Sequence, residues 1–390
     1  MLKRLYIDNF RCLVNFDVEL RRLGLFLGEN GSGKSSLFDA LDKIRRYIVE
    51  QRDVGEVFLA RDFPFWMREH PEPRQSFELT VEGNGGIYRY RLVIDLDLEG
   101  NRCRVWEERL TFNEENLFVF EIKVEEVDGR KQARGLAQLF RDDAVQREGP
   151  VFPTDWSRSG IGWLMPHREN RRLQWFKNWL REGLCLVRFN PSLLGQECVE
   201  LAEMLQADLS NYAAWYNRIV LQEPEIQDEI VATLKNIMEG YFSSLSFSKS
   251  GSLYRLQARV FGVGKKVSNL EFNQLSDGQK ALIVLYSILV AYSNRKCTVL
   301  FDEPENYLAL PEVQHWFQMV LEYYDQEEES SSQYLMLSHH PRIMDGFAMD
   351  DITWLYCQNG MTRKRNMLDG DREKELPLSI LVEQGWITEG

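Results

Sequence analysis

Residues 28–35 read Gly-Glu-Asn-Gly-Ser-Gly-Lys-Ser, which fits the pattern G-x-x-x-x-G-K-[S/T]. They follow an apolar stretch that ends at Leu27 and lead into a segment, Ser35 to Arg46, whose apolar residues recur at helical spacing. A glycine-rich turn between a strand and a helix lets backbone N–H groups converge on phosphate oxygens, and the helix N-terminus adds partial positive charge. The stretch therefore predicts a phosphate-binding loop within an α/β fold.

Within this loop, Lys34 is suited to neutralise the β- and γ-phosphates of a nucleotide, and the Ser35 hydroxyl is suited to ligate Mg²⁺. The candidate nucleotide contacts of the loop are Gly28, Asn30, Gly31, Ser32, Gly33, Lys34, Ser35 and Ser36.

A second motif, Val299-Leu-Phe-Asp-Glu-Pro, supplies the acidic residues that phosphate chemistry requires. An apolar strand that ends in an acid predicts an Mg²⁺ ligand at Asp302. The adjacent Glu303 is suited to polarise an attacking water. The two motifs together predict a nucleoside triphosphatase.

The class of triphosphatase is indicated by Leu275-Ser-Asp-Gly-Gln-Lys, which precedes a strongly apolar helical segment. It resembles the LSGGQ signature of ABC-class ATPases, with Asp277 in place of the first glycine. Ser276, Gly278 and Gln279 at a helix N-terminus are candidate contacts for a γ-phosphate. A serine that only caps the helix is the alternative interpretation.

Paired histidines end another apolar segment, Leu335-Met-Leu-Ser-His-His-Pro. They match the position of the switch histidine of the ABC class, which by this resemblance contacts the γ-phosphate and positions water. His339 is the candidate, with Glu303, for the catalytic pair. His340 is the alternative in register.

The stretch L-Y-I-D-N-F-R-C-L at 5–13, together with G-E-N-G-S-G-K-S-S-L-F-D-A-L at 28–41, resembles the SMC, RecF and OLD branch of ABC ATPases. The segments D-E-P-E-N-Y-L and S-H-H-P look most like its compact AAA/OLD-type members. The resemblance implies ATP and Mg²⁺ as cofactors and Arg11 as a phosphate contact. It also implies a homodimer in which the signature loop of one chain completes the ATP site of the other. Ala309 stands where relatives often carry a histidine.

The fold expected from this resemblance is an ABC-type P-loop ATPase core, with a mixed sheet and an N-terminal antiparallel β subdomain. We expect an N-terminal lobe over residues 1–112, a mainly helical insertion over 113–245 and a C-terminal lobe over 246–390. The glutamine that this class places in its Gln-loop is not evident, and Gln75 is a weak candidate.

Several function classes are disfavoured by composition and spacing. The formal net charge of −13 argues against a protein that coats nucleic acid through general basicity. The apolar runs are too short to span a bilayer, and the scattered cysteines favour a reducing cytoplasm. The long separation of the phosphate loop and the signature argues against a transporter domain. We also expect neither the long coiled-coil arms of SMC proteins nor an OLD-type nuclease domain.

The leading functional hypothesis is a sensor or regulator ATPase in a prokaryotic anti-phage defence system or DNA transaction, with effector activity in a partner such as a nuclease or toxin. The alternative is a RecF-like repair ATPase that binds DNA directly. A local basic patch with interleaved tryptophans could serve that role: Arg168, Arg171, Arg172, Trp175, Lys177, Trp179 and Arg181. A solvated helix face or a protein contact is the competing interpretation of that patch.

Overall fold

The computed structural model describes residues 1–98, 100–127, 130–142, 147–262, 266–293, 295–325, 332–366, 377 and 379–380. Its strands are β1 Leu2–Asp8, β2 Phe16–Glu19, β3 Leu23–Gly28, β4 Arg74–Gly83, β5 Gly86–Asp97, β6 Arg102–Phe112, β7 Glu115–Val127, β8 Arg130–Phe140, β9 Glu148–Pro153, β10 Leu184–Arg188, β11 Glu197–Cys198, β12 Phe242–Ser250, β13 Leu253–Phe261, β14 Val267–Glu271, β15 Thr298–Asp302, β16 Gln333–Ser338, β17 Ile352–Gln358 and β18 Met361–Asn366. Its α-helices are α1 Lys34–Val49, α2 Val54–Val57, α3 Gly160–Trp163, α4 Arg171–Asn178, α5 Tyr212–Gln222, α6 Pro224–Ile237, α7 Asp277–Ser293, α8 Leu310–Tyr324 and α9 Pro341–Met344.

The chain forms two compact units, each built from separated segments. Unit 1 comprises Met1–Arg21, Gly28–Gly183 and Thr353–Asn366. Unit 2 comprises Arg22–Leu27 and Leu184–Ile352, with the few described residues beyond 366. The boundaries expected at 112 and 245 therefore do not coincide with those of the two units.

Unit 1 is built on an eight-stranded antiparallel sheet with the order β2-β1-β4-β5-β6-β7-β8-β9. Its strands alternate between a buried face and a more exposed one. In β4, for example, Phe77, Leu79 and Val81 are fully buried while the residues between them are not. The α1 helix joins this core through a chain of ring contacts, from Tyr47 to Phe58 and from Phe58 to Phe77.

The expectation of a mainly helical insertion from residue 113 is wrong for its first part. The strands β7, β8 and β9, within Glu115–Val127, Arg130–Phe140 and Glu148–Pro153, extend the eight-stranded sheet. The physical reason lies in β7, where Phe118, Phe120 and Ile122 alternate with exposed or half-buried positions. Period-two burial of this kind is typical of a half-buried strand, and the many charged residues around it obscured the pattern.

The tryptophans of the predicted basic patch pack against other side chains of unit 1. Trp175 stacks on Tyr88 with ring centroids 4.7 Å apart, and Trp179 is only 4% exposed. Lys177 donates to the Leu164 carbonyl at 3.2 Å, and the Arg172 guanidinium lies over the Phe112 ring. Packing within unit 1 thus engages these four side chains, which favours the competing interpretation as a packed helix face, whereas Arg168, Arg171 and Arg181 are exposed.

Unit 2 is built on four parallel strands in the order β10-β15-β16-β3. In this register Arg188 lies opposite Asp302, Asp302 opposite Leu337, and Ser338 opposite Leu27. The carboxyl ends of all four strands therefore meet at one edge, where ligands bind in open parallel sheets. The strand β10, which the sequence interpretation placed inside the insertion, belongs to this core.

The remainder of unit 2 consists of a small antiparallel sheet, β11-β13-β12 with β14 paired to β13, and the helices α5 to α9. In α7 every residue from Lys280 to Ser293 is buried, as expected of a helix that is apolar on all sides. Among the described residues, no helix is both long enough and apolar enough to cross a membrane.

A buried carboxylate in unit 1 leads to the first testable prediction. Glu108 is 1% exposed, and burial raises its pKa to about 7, although hydrogen bonds from Ser159 Oγ (2.6 Å), the Gly160 N–H (2.8 Å) and Tyr90 Oη (3.2 Å) act in the opposite direction. A carboxyl group whose pKa is raised on folding stabilises the fold at low pH, here by up to about 3 kcal/mol below about pH 4.5. This contribution to the free energy of unfolding is lost as the pH rises to about 7.

Glu108→Gln should therefore show a smaller drop in unfolding midpoint between pH 5 and pH 8 than the wild type, measured by circular dichroism. The matched control is Glu107→Gln, at the neighbouring and more exposed position of β6. Equal pH dependence in Glu108→Gln and in the wild type would contradict this prediction.

Candidate functional site

The predicted phosphate-binding loop lies between β3 and α1, in the part of the chain where unit 1 resumes at Gly28. Lys34 is 5% exposed, and its Nζ donates to the carbonyl oxygens of Gly28 (2.5 Å) and Glu29 (3.0 Å). The Ser35 side chain, in the first turn of α1, is exposed. The ammonium group thus closes the loop on itself, and phosphate oxygens would compete with these carbonyls for it.

The loop requires glycine at three positions. Gly31 and Gly33 have φ values of +83° and +104°, which L side chains rarely adopt. At Gly28 a Cβ atom would lie 2.2 Å from the Leu355 carbonyl oxygen, and at Gly33 it would lie 2.2 Å from Thr362 Oγ1. Of the other predicted contacts, Asn30 is exposed and Ser36 is buried, with the Cys12 thiol 3.7 Å from its hydroxyl oxygen.

The hairpin of β17 and β18 supports the phosphate-binding loop. The sequence interpretation did not predict this contact. Thr362 Oγ1 donates to the Ser32 carbonyl at 2.9 Å, and the Thr362 N–H donates to the Cys12 carbonyl at 2.8 Å. These contacts join residues more than 300 positions apart. No local sequence signal identifies such a partner.

Arg11, predicted as a phosphate contact, is engaged within unit 1. Its Nη1 lies 2.5 Å from Asp39 Oδ2 and its Nε 3.1 Å from Asp62 Oδ1. Its backbone is left-handed, with φ +53°. These two bonds use one N–H of Nε and one of Nη1, so the guanidinium keeps further N–H donors that a phosphate could accept from.

In unit 2 the predicted Mg²⁺ ligand ends β15. Asp302 is 6% exposed, and its Oδ2 accepts a hydrogen bond of 2.6 Å from Arg188 Nε at the end of β10. The sequence interpretation missed Arg188. Its only local signal was the short apolar run Leu184-Cys-Leu-Val before it.

The predicted catalytic pair meets at the same edge of unit 2. His339 Nδ1 lies 3.5 Å from Glu303 Oε1, and Asn306 Nδ2 donates to Glu303 Oε2 at 2.9 Å. Glu303 has a left-handed backbone, with φ +51°, and its N–H donates to the Leu337 carbonyl at 2.8 Å. A strained backbone of this kind in a non-glycine residue is found preferentially at functional sites.

A second glutamate fixes the histidine end of this arrangement. Glu305 is 7% exposed, and its Oε1 accepts hydrogen bonds from Ser338 Oγ (2.6 Å) and the His339 N–H (3.2 Å). His340, the alternative in register, instead donates its N–H to Ser338 Oγ at 2.9 Å, and no contact between it and Glu303 is seen. The geometry therefore places His339, and not His340, beside Glu303.

The predicted signature lies at the N-terminus of α7. The Ser276 N–H donates to Gln279 Oε1 at 3.0 Å, and the Gln279 N–H donates back to Ser276 Oγ at 3.3 Å. This reciprocal pair is a capping box, so in a single chain Ser276 caps the helix. Ser276 is nevertheless exposed, and a Cβ on Gly278 would lie 3.1 Å from the Tyr307 carbonyl oxygen.

The residues present fit a Mg²⁺-bound nucleoside triphosphate. In unit 1 the Ser32 hydroxyl is buried with no hydrogen-bond partner among the described residues, and it lies in the loop that the glycines keep open. The donors expected for Mg²⁺, the Ser35 hydroxyl and the Asp302 carboxylate, are hard oxygen ligands of the kind that this ion prefers.

Parts of the chain match known families and proteins. Residues 25–345 match the family described as "AAA domain, putative AbiEii toxin, Type IV TA system", and residues 4–42 match an "AAA domain" family. A segment of 44 residues, 11% of this chain, is 46% identical to the OLD nuclease of Thermus scotoductus. That segment covers only 8% of the length of the nuclease.

Among solved structures, an SMC head bound to the C-terminal winged-helix domain of ScpA is similar with a TM-score of 0.51. It is 13% identical, and the alignment covers 95% of this chain and 99% of that one. An SMC head with an extended coiled coil, in a complex with a ScpA domain from Pyrococcus furiosus, gives a TM-score of 0.48 at 11% identity, over 98% and 99% of the two chains.

The first of these structural similarities confirms the predicted ABC-type P-loop ATPase fold. Together with the two family matches and the OLD segment, it confirms the predicted resemblance to the SMC, RecF and OLD branch. Since the longer family match spans well over half of the chain, the protein belongs to the ATPase family described as "AAA domain, putative AbiEii toxin, Type IV TA system".

Proposed function

We propose that the protein binds ATP with Mg²⁺ and hydrolyses it. The observation that carries this proposal is the pairing of Glu303 with His339 directly after Asp302, at the carboxyl edge of the parallel strands. In this proposal the loop from Gly28 to Ser36 binds the phosphates, and Ser35 and Asp302 hold the metal ion. The bound ion would neutralise developing negative charge on the phosphate oxygens.

Each side chain of the pair has a separate task. Glu303 accepts a proton from the attacking water, and the hydrogen bond from Asn306 holds its second oxygen in place. His339 orients the same water and the γ-phosphate, and the contacts of Glu305 with Ser338 and with the His339 backbone fix where it sits.

In this proposal the active form of the protein is a symmetric homodimer with two ATP molecules between the chains. The support is that Ser276 is exposed although it caps α7, and that each chain carries one phosphate loop and one signature. In a two-fold dimer every contact occurs twice, so a phosphate loop that meets the signature of the partner chain implies the reciprocal contact and two complete sites. ATP binding would close the dimer, and hydrolysis would release it.

The dimer is tested by mixing two inactive variants. Lys34→Ala damages the phosphate loop and Ser276→Arg damages the signature, so a mixed dimer contains one composite site with both elements intact. We expect the mixture to recover up to about a quarter of the wild-type ATPase rate, since half of the dimers are mixed and each has one intact site. If the mixture is as inactive as its components, while both variants fold as judged by circular dichroism, the signature does not act in trans.

For the biological role we propose a sensor or regulator in a prokaryotic defence system, with the effector in a partner protein. The family description, which names a toxin and a type IV toxin–antitoxin system, and the segment shared with an OLD nuclease support this setting. Purification from native cells in the ATP-bound state should retain a protein with nuclease or other toxic activity. A homodimer that retains neither protein nor nucleic acid would argue against the proposal.

Direct DNA binding in the manner of RecF has less support. The net charge is −13, and Trp175 and Trp179 pack inside unit 1. Fluorescence anisotropy with a labelled duplex at 50 and 200 mM salt would separate the two roles, because phosphate contacts give binding that weakens steeply with salt. Strong salt-dependent binding that increases with ATP would favour the repair role.

A further inference from the structure

The carboxylate proposed to hold the metal ion already has a cationic partner. Arg188 and Asp302 are opposite residues at the ends of the parallel strands β10 and β15. Arg188 Nε lies 2.6 Å from Asp302 Oδ2. The Asp302 side chain is 5% exposed, whereas that of Arg188 is 39% exposed.

This difference in exposure determines which partner can move. A carboxylate that is almost fully buried is costly without a positive charge beside it. The Arg188 side chain reaches solvent along part of its length, while its backbone N–H is fixed to the Ala207 carbonyl at 2.8 Å. The bond that holds Arg188 in the strand is thus made by its backbone and does not involve the guanidinium.

A divalent cation and a guanidinium bound to the same carboxylate repel each other, because both are positively charged and lie within a few ångströms. We propose that Arg188 is a positioning residue that takes the place of Mg²⁺ at Asp302 in the nucleotide-free chain and is displaced when the Mg²⁺–nucleotide complex binds. Arg188 thereby sets the Mg²⁺ concentration at which nucleotide binds. This inference rests on the proposed function, because it concerns the same Asp302.

The test measures binding of AMP-PNP, an ATP analogue that is not hydrolysed, by isothermal titration calorimetry at a series of Mg²⁺ concentrations. Two neutral variants, Arg188→Gln and Arg188→Met, remove the competing charge, and the glutamine keeps a donor for Asp302. We expect both to lower the Mg²⁺ concentration for half-maximal binding by about tenfold, which corresponds to about 1.4 kcal/mol.

Two controls separate charge competition from a general structural effect. Arg188→Lys keeps a positive charge within reach of Asp302 and should remain within about threefold of the wild-type midpoint. Arg255→Gln removes an exposed ion pair of the same unit, in which Arg255 Nε lies 2.7 Å from Glu197 Oε1, and should leave the midpoint unchanged. Circular dichroism melting establishes that each variant folds. The test is decisive if at least one of the two neutral variants, Arg188→Gln or Arg188→Met, is folded.

The outcomes are distinct. A lowered midpoint in a neutral variant, with Arg188→Lys and Arg255→Gln near the wild type, supports the inference. An unchanged or raised midpoint in the neutral variants, or an equal shift in Arg255→Gln, overturns it while leaving the proposed function intact. Wild-type protein that shows no Mg²⁺-dependent binding of AMP-PNP overturns the proposed function, and this inference with it.

Discussion

Glu303→Gln is expected to lower the rate of ATP hydrolysis by roughly 10²–10⁴-fold, the range that a positioned general base contributes. Glutamine has almost the same shape as glutamate and can still accept the hydrogen bond that Asn306 Nδ2 gives to Glu303 Oε2. It cannot take a proton from water at neutral pH. The substitution therefore removes the proton acceptor and leaves the packing at the carboxyl edge of the parallel strands intact.

The same variant should accumulate in the ATP-bound, dimeric form, because closure precedes the blocked step. Size-exclusion chromatography with light scattering, with ATP and with ADP, would report this shift, and phosphate release would report the rate. Glu322→Gln, at an exposed position of α8, is the matched control and should behave as the wild type in both assays. A fully active Glu303→Gln protein would exclude the assigned role of Glu303.

The parts of the site that the sequence predicted are those encoded by contiguous residues. The loop at 28–35, the apolar strand that ends at Asp302 and the histidine after Ser338 each combine a strand pattern with a polar residue at its end. Because the carboxyl ends of parallel strands share an edge, such motifs already indicate where the polar residues lie. The core fold follows from the same local patterns.

The parts that the sequence did not predict depend on partners distant in the chain. Arg188 and Asp302 are 114 residues apart, and an apolar run of four residues such as that of β10 cannot be distinguished from a buried helix segment by periodicity. The supporting role of Thr362 requires a hairpin near the other end of the chain. The role of Trp175 and Trp179 was ambiguous in the sequence, because an aromatic side chain can stack on a base or on another aromatic residue. In the structure Trp175 stacks on Tyr88 and Trp179 on Phe176.

Lys34→Ala is expected to weaken ATP binding by about 10- to 150-fold, since hydrogen bonds to a charged group contribute about 1.5–3 kcal/mol. The native ammonium group is 5% exposed and donates to the carbonyls of Gly28 and Glu29, so it is already positioned inside the loop. Alanine favours helix and should preserve α1. The affinity is measured by fluorescence titration with a labelled ATP analogue.

Loss of side-chain packing in the loop, and not of the ammonium group, is the competing explanation for a weakened Lys34→Ala variant, because alanine also removes the aliphatic chain of this buried lysine. Lys34→Met retains most of the aliphatic length and removes the charged ammonium group with its N–H donors, so both variants should lose affinity to a similar extent. Arg46→Ala, on the same helix but 39% exposed, provides the control and should bind ATP as the wild type does. Wild-type affinity in Lys34→Met would contradict the assignment of the loop, because a phosphate-binding loop without its cation cannot neutralise the nucleotide to the same degree.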